Sequence, residues 1–322
     1  MKALKHIVVI LAGILLAPAW AVADYPERPI KVIFPNQAGS PYHQIVLGVL
    51  SLVEDDIPQP VGVQAMPGAG TSAGTRFVLA QPADGYTMLF IHDAVLQTAK
   101  FGMLGTGIES LEALAQVNRS QPALYALADA PYNDLNELVE YANANPGEVK
   151  VGINTGAASH LEMVGLKDAL GADLKFVHVG GGGTGFRQGL LAGDVNLIHT
   201  NPGGAIEELE RQGMVKALAY YGEERHAQLQ DVATMDEQGF ETPIVMQLYG
   251  YFWIRSDTPE DIKQYWRDTL AGALTDPDNV AQLQEMFGVD IVHKGGDELQ
   301  QLVADRYNAR ASFIDEYEIE VK

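Results

Sequence analysis

The chain has 322 residues, 47% hydrophobic and 20% charged, with no cysteine and a formal charge of −21. That length can bury one large or two medium cores, and the apolar content excludes a disordered chain. The absence of cysteine excludes a disulfide scaffold, thiol catalysis and thiolate metal sites. With 42 acidic against 21 basic residues, a nucleic-acid partner held by phosphate neutralisation is excluded as well.

Residues 1–23 read as a secretory signal peptide. Lys2 and Lys5 precede an apolar run over 7–16, and Ala21-Val22-Ala23 supplies the small-x-small close of a cleavage site. The run is short for a membrane span, and no cysteine follows it for lipidation. Cutting after Ala23 removes two positive charges and leaves about −23, a balance that speaks for solubility rather than for a substrate.

From Tyr25 onward, short strand-like runs alternate with helical patterns. Strands are expected at 30–34, 86–91, 124–128, 150–154, 174–179, 195–200, 216–221, 249–254 and 290–293. Helices are expected at 42–53, 71–80, 134–143, 159–170, 186–192, 205–212, 259–274, 279–286 and 298–317. Such alternation means α/β architecture with doubly wound sheets. So many units exceed one sheet and predict two lobes, 24–122 plus 251–322 and 123–250. Two extended crossovers, at 121–128 and 248–255, would join them into a clamshell.

Two motifs suggest catalysis or cofactor binding. Gly70-Thr71-Ser72-Ala73-Gly74 fits G-x-S-x-G, but Pro67 and further glycines separate it from the strand-like run before it. A nucleophile elbow needs a strand running directly into the turn, so a serine hydrolase using Ser72 is the alternative rather than the main reading. Gly180-x-Gly182-x-x-Gly185 fits a dinucleotide fingerprint, yet the ribose-binding acid expected about 20 residues on falls on Thr200 or Asn201. No cofactor and no metal is expected, because the eight histidines show no metal-ligand spacing. His178 reads as a core residue. His43, His92, His160 and His199 fall at the strand ends, where α/β sheets bind ligands.

Two loops are suited to an anion. Residues 35–43 (PNQAGSPYH) and 154–160 (NTGAASH) both place Gly and Ser just ahead of a helix. A helix start carries about half a positive charge, so two facing starts can hold a carboxylate without Lys or Arg. Arg187, expected in the first turn of its helix, either faces solvent or reaches into the same gap.

Six segments in register are similar to the periplasmic solute receptors of tripartite tricarboxylate transporters, the TctC or Bug family. They are YPERPIKVIFP from Tyr25, MPGAGTSAG from Met66, ADGYTMLF from Ala83, GAASHLE from Gly156, LLAGDVNL from Leu190 and VKALAYY from Val215. The resemblance implies a type II-like periplasmic binding protein without enzymatic activity. Such a receptor captures a small organic anion, usually a carboxylate, and delivers it to a membrane permease. It is expected to act as a monomer, without nucleic acid; a ligand-sensing subunit of a signalling system is a further alternative.

By that resemblance Ala38, Gly39, Ser40 and Tyr42 would serve the first lobe, and Thr155, Gly156, Ala157 and Ser159 the second. Departures from the family pattern add candidates. His43 stands where an Asp is common, Gly181 and Gly182 lie in a run replacing PYKGG, and Asn201 falls near another usual Asp.

Overall fold

The computed structural model describes residues 25–180 and 182–319. The expected signal peptide over 1–23 and the candidate Gly181 therefore lie outside the described residues.

Two sheets organise the chain. The first begins with β1 (Ile30–Phe34), α1 (Pro41–Val53), β2 (Val61–Ala65), α2 (Ser72–Leu79), β3 (Thr87–His92), α3 (Ala94–Lys100) and β4 (Leu111–Ser120). The second holds β5 (Ala123–Leu127), α4 (Leu135–Ala144), β6 (Lys150–Ile153), α5 (Ala158–Leu170), β7 (Lys175–His178), α6 (Gly182–Ala192), β8 (Leu197–Thr200), α7 (Gly204–Arg211) and β9 (Val215–Tyr220). The chain then returns to the first sheet with β10 (Leu248–Arg255), α8 (Glu260–Thr275), α9 (Pro277–Phe287), β11 (Asp290–Lys294) and α10 (Gly296–Glu316). Strand orders are β11-β4-β10-β3-β1-β2 and β7-β6-β8-β5-β9.

The architecture is the two-lobed α/β fold, with mixed sheets. β1, β2 and β3 run parallel, whereas β10 pairs antiparallel with both β3 and β4. The first crossing occupies residues 121–122. The return occupies 221–247, upstream of the expected crossover at 248–255, whose residues pair with β4 from Leu248 to Arg255.

Both faces of each sheet are covered, which is why the central strands read as continuous apolar runs rather than alternating ones. In the first sheet Val32, Phe34, Phe90 and Phe252 pack under α1 and α8. Ile33, Leu89, Ile91, Tyr251 and Trp253 pack against the α2, α3 and α10 side. In the second sheet Leu124, Val151 and Leu197 face one core, and Tyr125, Ile198 and Ala217 the other.

Between the covered faces sits a buried ion knot. Asp93, directly after β3, accepts hydrogen bonds from Arg306 Nε (3.0 Å) and its terminal nitrogen (2.7 Å), from the Tyr249 amide (2.8 Å) and from Tyr251 Oη (3.2 Å). Arg310 adds a longer contact at 3.4 Å. Both arginines also donate to the Gln247 carbonyl in the return passage. Burial opposes ionisation of Asp93, but the two guanidiniums overcome it and hold the carboxyl below its usual range. Removing one partner of a buried pair strands the other charge, at about 3–5 kcal/mol. Asp93→Asn should therefore lower stability by about that amount in urea denaturation. Arg28→Ala, which removes the exposed pair with Asp84, should leave stability nearly unchanged.

Candidate functional site

Connections diverge at one place in each sheet. From β1 the chain goes to β2 on one side and then to β3 on the other; from β6 it goes to β7 and then to β8. Beyond the C-terminal ends of such strands the diverging loops leave a crevice, where open α/β sheets bind ligands. Here the two crevices merge. One cavity of about 160 Å³ is lined by Asn36, Ser40 and Tyr42 after β1, and by His92 and Ala94 at β3. Asn154, Ala157 and Ser159 after β6, and His199, Thr200 and Asn201 at β8, complete it.

The cavity faces two helix starts that lack side-chain caps. Asp134 caps α4 by accepting the Glu137 amide, and Asp276 caps α9 in the same way. Ser40 and Ala157, in the N-cap positions of α1 and α5, do not cap, and neither first turn contains an acid. At the start of α1, Gln44 N donates to the Ser40 carbonyl, and Ser40 N donates to the Gln37 carbonyl in the loop before it. Among the described residues, the amides of Tyr42, His43, Ala158 and Ser159 have no acceptor. Ser159 Oγ is used differently, accepting from Asn154 N at 2.8 Å and so fixing the β6–α5 loop.

Several buried polar atoms around the cavity also lack a hydrogen-bond partner among the described residues: Ser40 Oγ, Thr71 Oγ1, both carboxyl oxygens of Glu162 and both ring nitrogens of His199. A buried unsatisfied group costs about 1–3 kcal/mol, so their concentration here marks a site that something else completes. Thr71 adds a backbone signal. It adopts φ 85°, a left-handed conformation that a β-branched residue rarely accepts, and its side chain reaches the cavity wall.

The structure brings Ser40, Tyr42, Ala157, Ser159 and Asn201 to one cavity. It places other expected residues elsewhere. Ala38 and Thr155 are exposed, and Gly39 lines a neighbouring hollow of about 290 Å³. His43 packs on Phe34, while Gly156 and Gly182 stay off the wall, where Gly183 stands instead. Gly156 N donates to His160 Nδ1 (3.3 Å), so His160 shapes the loop. His178 is exposed on the edge strand β7 rather than in the core.

Arg187 lies beyond the first turn of α6, which begins at Gly182. It donates to Thr184 Oγ1 and lines the neighbouring hollow, pairing with no carboxylate among the described residues.

The two glycine motifs have packing explanations. Six residues part β2 from Ser72, which is 1% exposed. A Cβ at Gly74 would meet Pro35 at 2.7 Å. At Gly185 it would meet the Gly180 carbonyl at 1.7 Å, so that glycine permits a tight turn into α6.

Glu162 is the residue sequence reading missed. Its signal was position, an acid within the buried stripe Ala158, Glu162 and Leu166 of α5. A larger surface hollow, about 790 Å³, lies at α8, α10 and β11. Its acids Glu112 and Glu260 are already engaged by Lys263 and Arg267, so it offers a ligand less than the cleft does.

Burial holds His199 and His92 at about 4, down from 6.5. Each is neutral when folded but takes a proton more readily when unfolded. Their contribution to stability is complete above pH 6.5 and is lost as pH falls toward 4. Melting temperature should drop across that window, and His199→Gln should make the drop shallower; an unchanged acid limb would contradict a neutral buried His199.

Comparison with known proteins agrees with the fold. A model of the tripartite tricarboxylate transporter family receptor matches residues 48–319. A UPF0065 protein of Bordetella pertussis is 27% identical over 308 residues, 94% of each chain. The solved structure of the periplasmic binding protein BugD has a TM-score of 0.80 at 25% identity, covering 92% of this chain and 100% of that one. MatC of Rhodopseudomonas palustris, solved with bound malate, has a TM-score of 0.76 at 22% identity, covering 90% and 100%. With most of its length matched, this chain belongs to the tripartite tricarboxylate transporter receptor family, a family of solute-binding proteins.

Proposed function

We propose that this protein is a periplasmic receptor, freed of residues 1–23 on export. It would capture a small organic carboxylate between its lobes, without catalysis, and hand it to the membrane subunits of a tripartite transporter. The observation that carries the reading is the meeting of two uncapped helix starts, one from each lobe, on a single cavity. Free amides at both starts suit the two oxygens of a carboxylate, and the partial positive charge of each start substitutes for a cation. The malate bound by MatC supports the choice of ligand class. Arg187, across the shared residues Pro41, Thr200 and Asn201, offers a cation to a longer anion.

The lobes are taken as 24–122 with 251–322, and 123–250, with the second boundary moved ahead of β10, which joins the first sheet from Leu248. Closure between them would exclude water and strengthen every polar contact inside. Ser72 supports binding over hydrolysis, because it is buried and has no side-chain hydrogen bond to a histidine or carboxylate among the described residues.

The test is a thermal-shift screen of mono-, di- and tricarboxylates against the mature chain. A ligand at 100 times its Kd stabilises by about 2.7 kcal/mol, which should raise Tm by a few degrees. Ser40→Leu and Ser159→Leu, placing bulk at the two starts, should abolish that shift while the ligand-free proteins still melt cooperatively. Retention of the shift in both variants would remove the cleft from the account.

A further inference from the structure

Glu162 lies one turn into α5, fully buried, on the cavity wall. Its Oε2 is 3.1 Å from Nδ1 of His199, itself 7% exposed. The contact is too poorly aligned to count as a hydrogen bond, and among the described residues no other group satisfies the two carboxyl oxygens or the two ring nitrogens. Four open polar atoms therefore meet at one side of the cavity.

Charged and titratable groups face Glu162 from several elements. His199 comes from β8, Tyr221 from just past β9, Tyr42 from α1, Asp93 from the end of β3 and Arg310 from α10. Arg310 is the one cation in this set, and it is committed to Asp93 and to the Val245 and Gln247 carbonyls. An ionised Glu162 would repel an arriving carboxylate with little water between them to screen the charge. The same side chain bearing a proton is a donor, as is a neutral imidazole at one nitrogen.

We propose that the cleft takes its carboxylate together with a proton held on the Glu162–His199 pair, so that the anion meets an O–H and an N–H in place of a fixed cation. The proposal rests on the carboxylate reading above and adds its regulation by pH. Burial agrees with the geometry. It pushes Glu162 up to about 8 and His199 down to about 4, leaving the pair with one acidic proton and no net charge at neutral pH. Above that range the proton leaves for solvent, and ligand binding has to recover it.

Calorimetry with malate and a panel of dicarboxylates, in buffers of different ionisation enthalpy from pH 6.5 to 9.5, tests the linkage. The wild type should take up about one proton per ligand at pH 9, with Kd rising about tenfold per pH unit above 8. Glu162→Gln should take up none and show a Kd that does not move with pH. Infrared titration checks the pair without ligand: a protonated-carboxyl band present at pH 6.5 should fade above pH 8 and be missing in Glu162→Gln.

Binding by the wild type that is independent of pH, or a band already absent at pH 6.5, would overturn the proton and leave carboxylate capture standing. Failure of every carboxylate to bind either protein at any pH would overturn the capture reading and this proposal with it.

Discussion

The structure depends on the buried charge of Asp93. Its neighbours on either side, His92 and Ala94, both line the cavity. The carboxylate itself is held by two arginines of the C-terminal helix and by the backbone of β10. A charge removed from water must be paired, and pairing this one ties the first sheet, α10 and the return passage into one piece at the cleft. Both arginines are spent there. On the proposed reading, the gap between the sheets is then left with partial charges, the starts of α1 and α5, as what would attract an anion.

That division explains a contrast in helix ends. α4 and α9 begin on capping aspartates, as local stability favours. α1 and α5 forgo both the cap and any first-turn acid. The amides left open cost stability in the empty protein and, on the proposed reading, would supply binding when an acceptor arrives. Glu162 and His199 extend the same logic to side chains, since their unpartnered atoms are tolerable only where a ligand or water completes them.

Much of the fold was legible because covered α/β sheets write long apolar strands between amphipathic helices. β4 escaped notice. Its sequence LEALAQVNRS carries Gln116, Asn118 and Ser120, polar residues that burial between β10 and β11 accepts. α3 escaped as well, being seven residues packed tightly after β3. The return crossing was expected too late, because an apolar run such as 248–255 reads the same whether it spans two lobes or completes one sheet.

The site was legible as two loops but not as a set of side chains. Gly and Ser ahead of a helix mark an open start, which located the two loops, and the family resemblance singled out Ser40, Ala157 and Ser159 within them. Which loop residues turn inward depends on the turn itself, so exposed Ala38 and Thr155 could not be told from buried Ser159. Glu162 was hidden for another reason: an acid in a helix normally faces water. Titrating ¹⁵N-labelled protein with the carboxylate that gives the largest thermal shift reads the central claim residue by residue. The account predicts that the largest amide shifts fall on Tyr42, His43, Ala158 and Ser159. Shifts gathered instead around Glu112, Arg267 and His293, at the outer hollow, would contradict it.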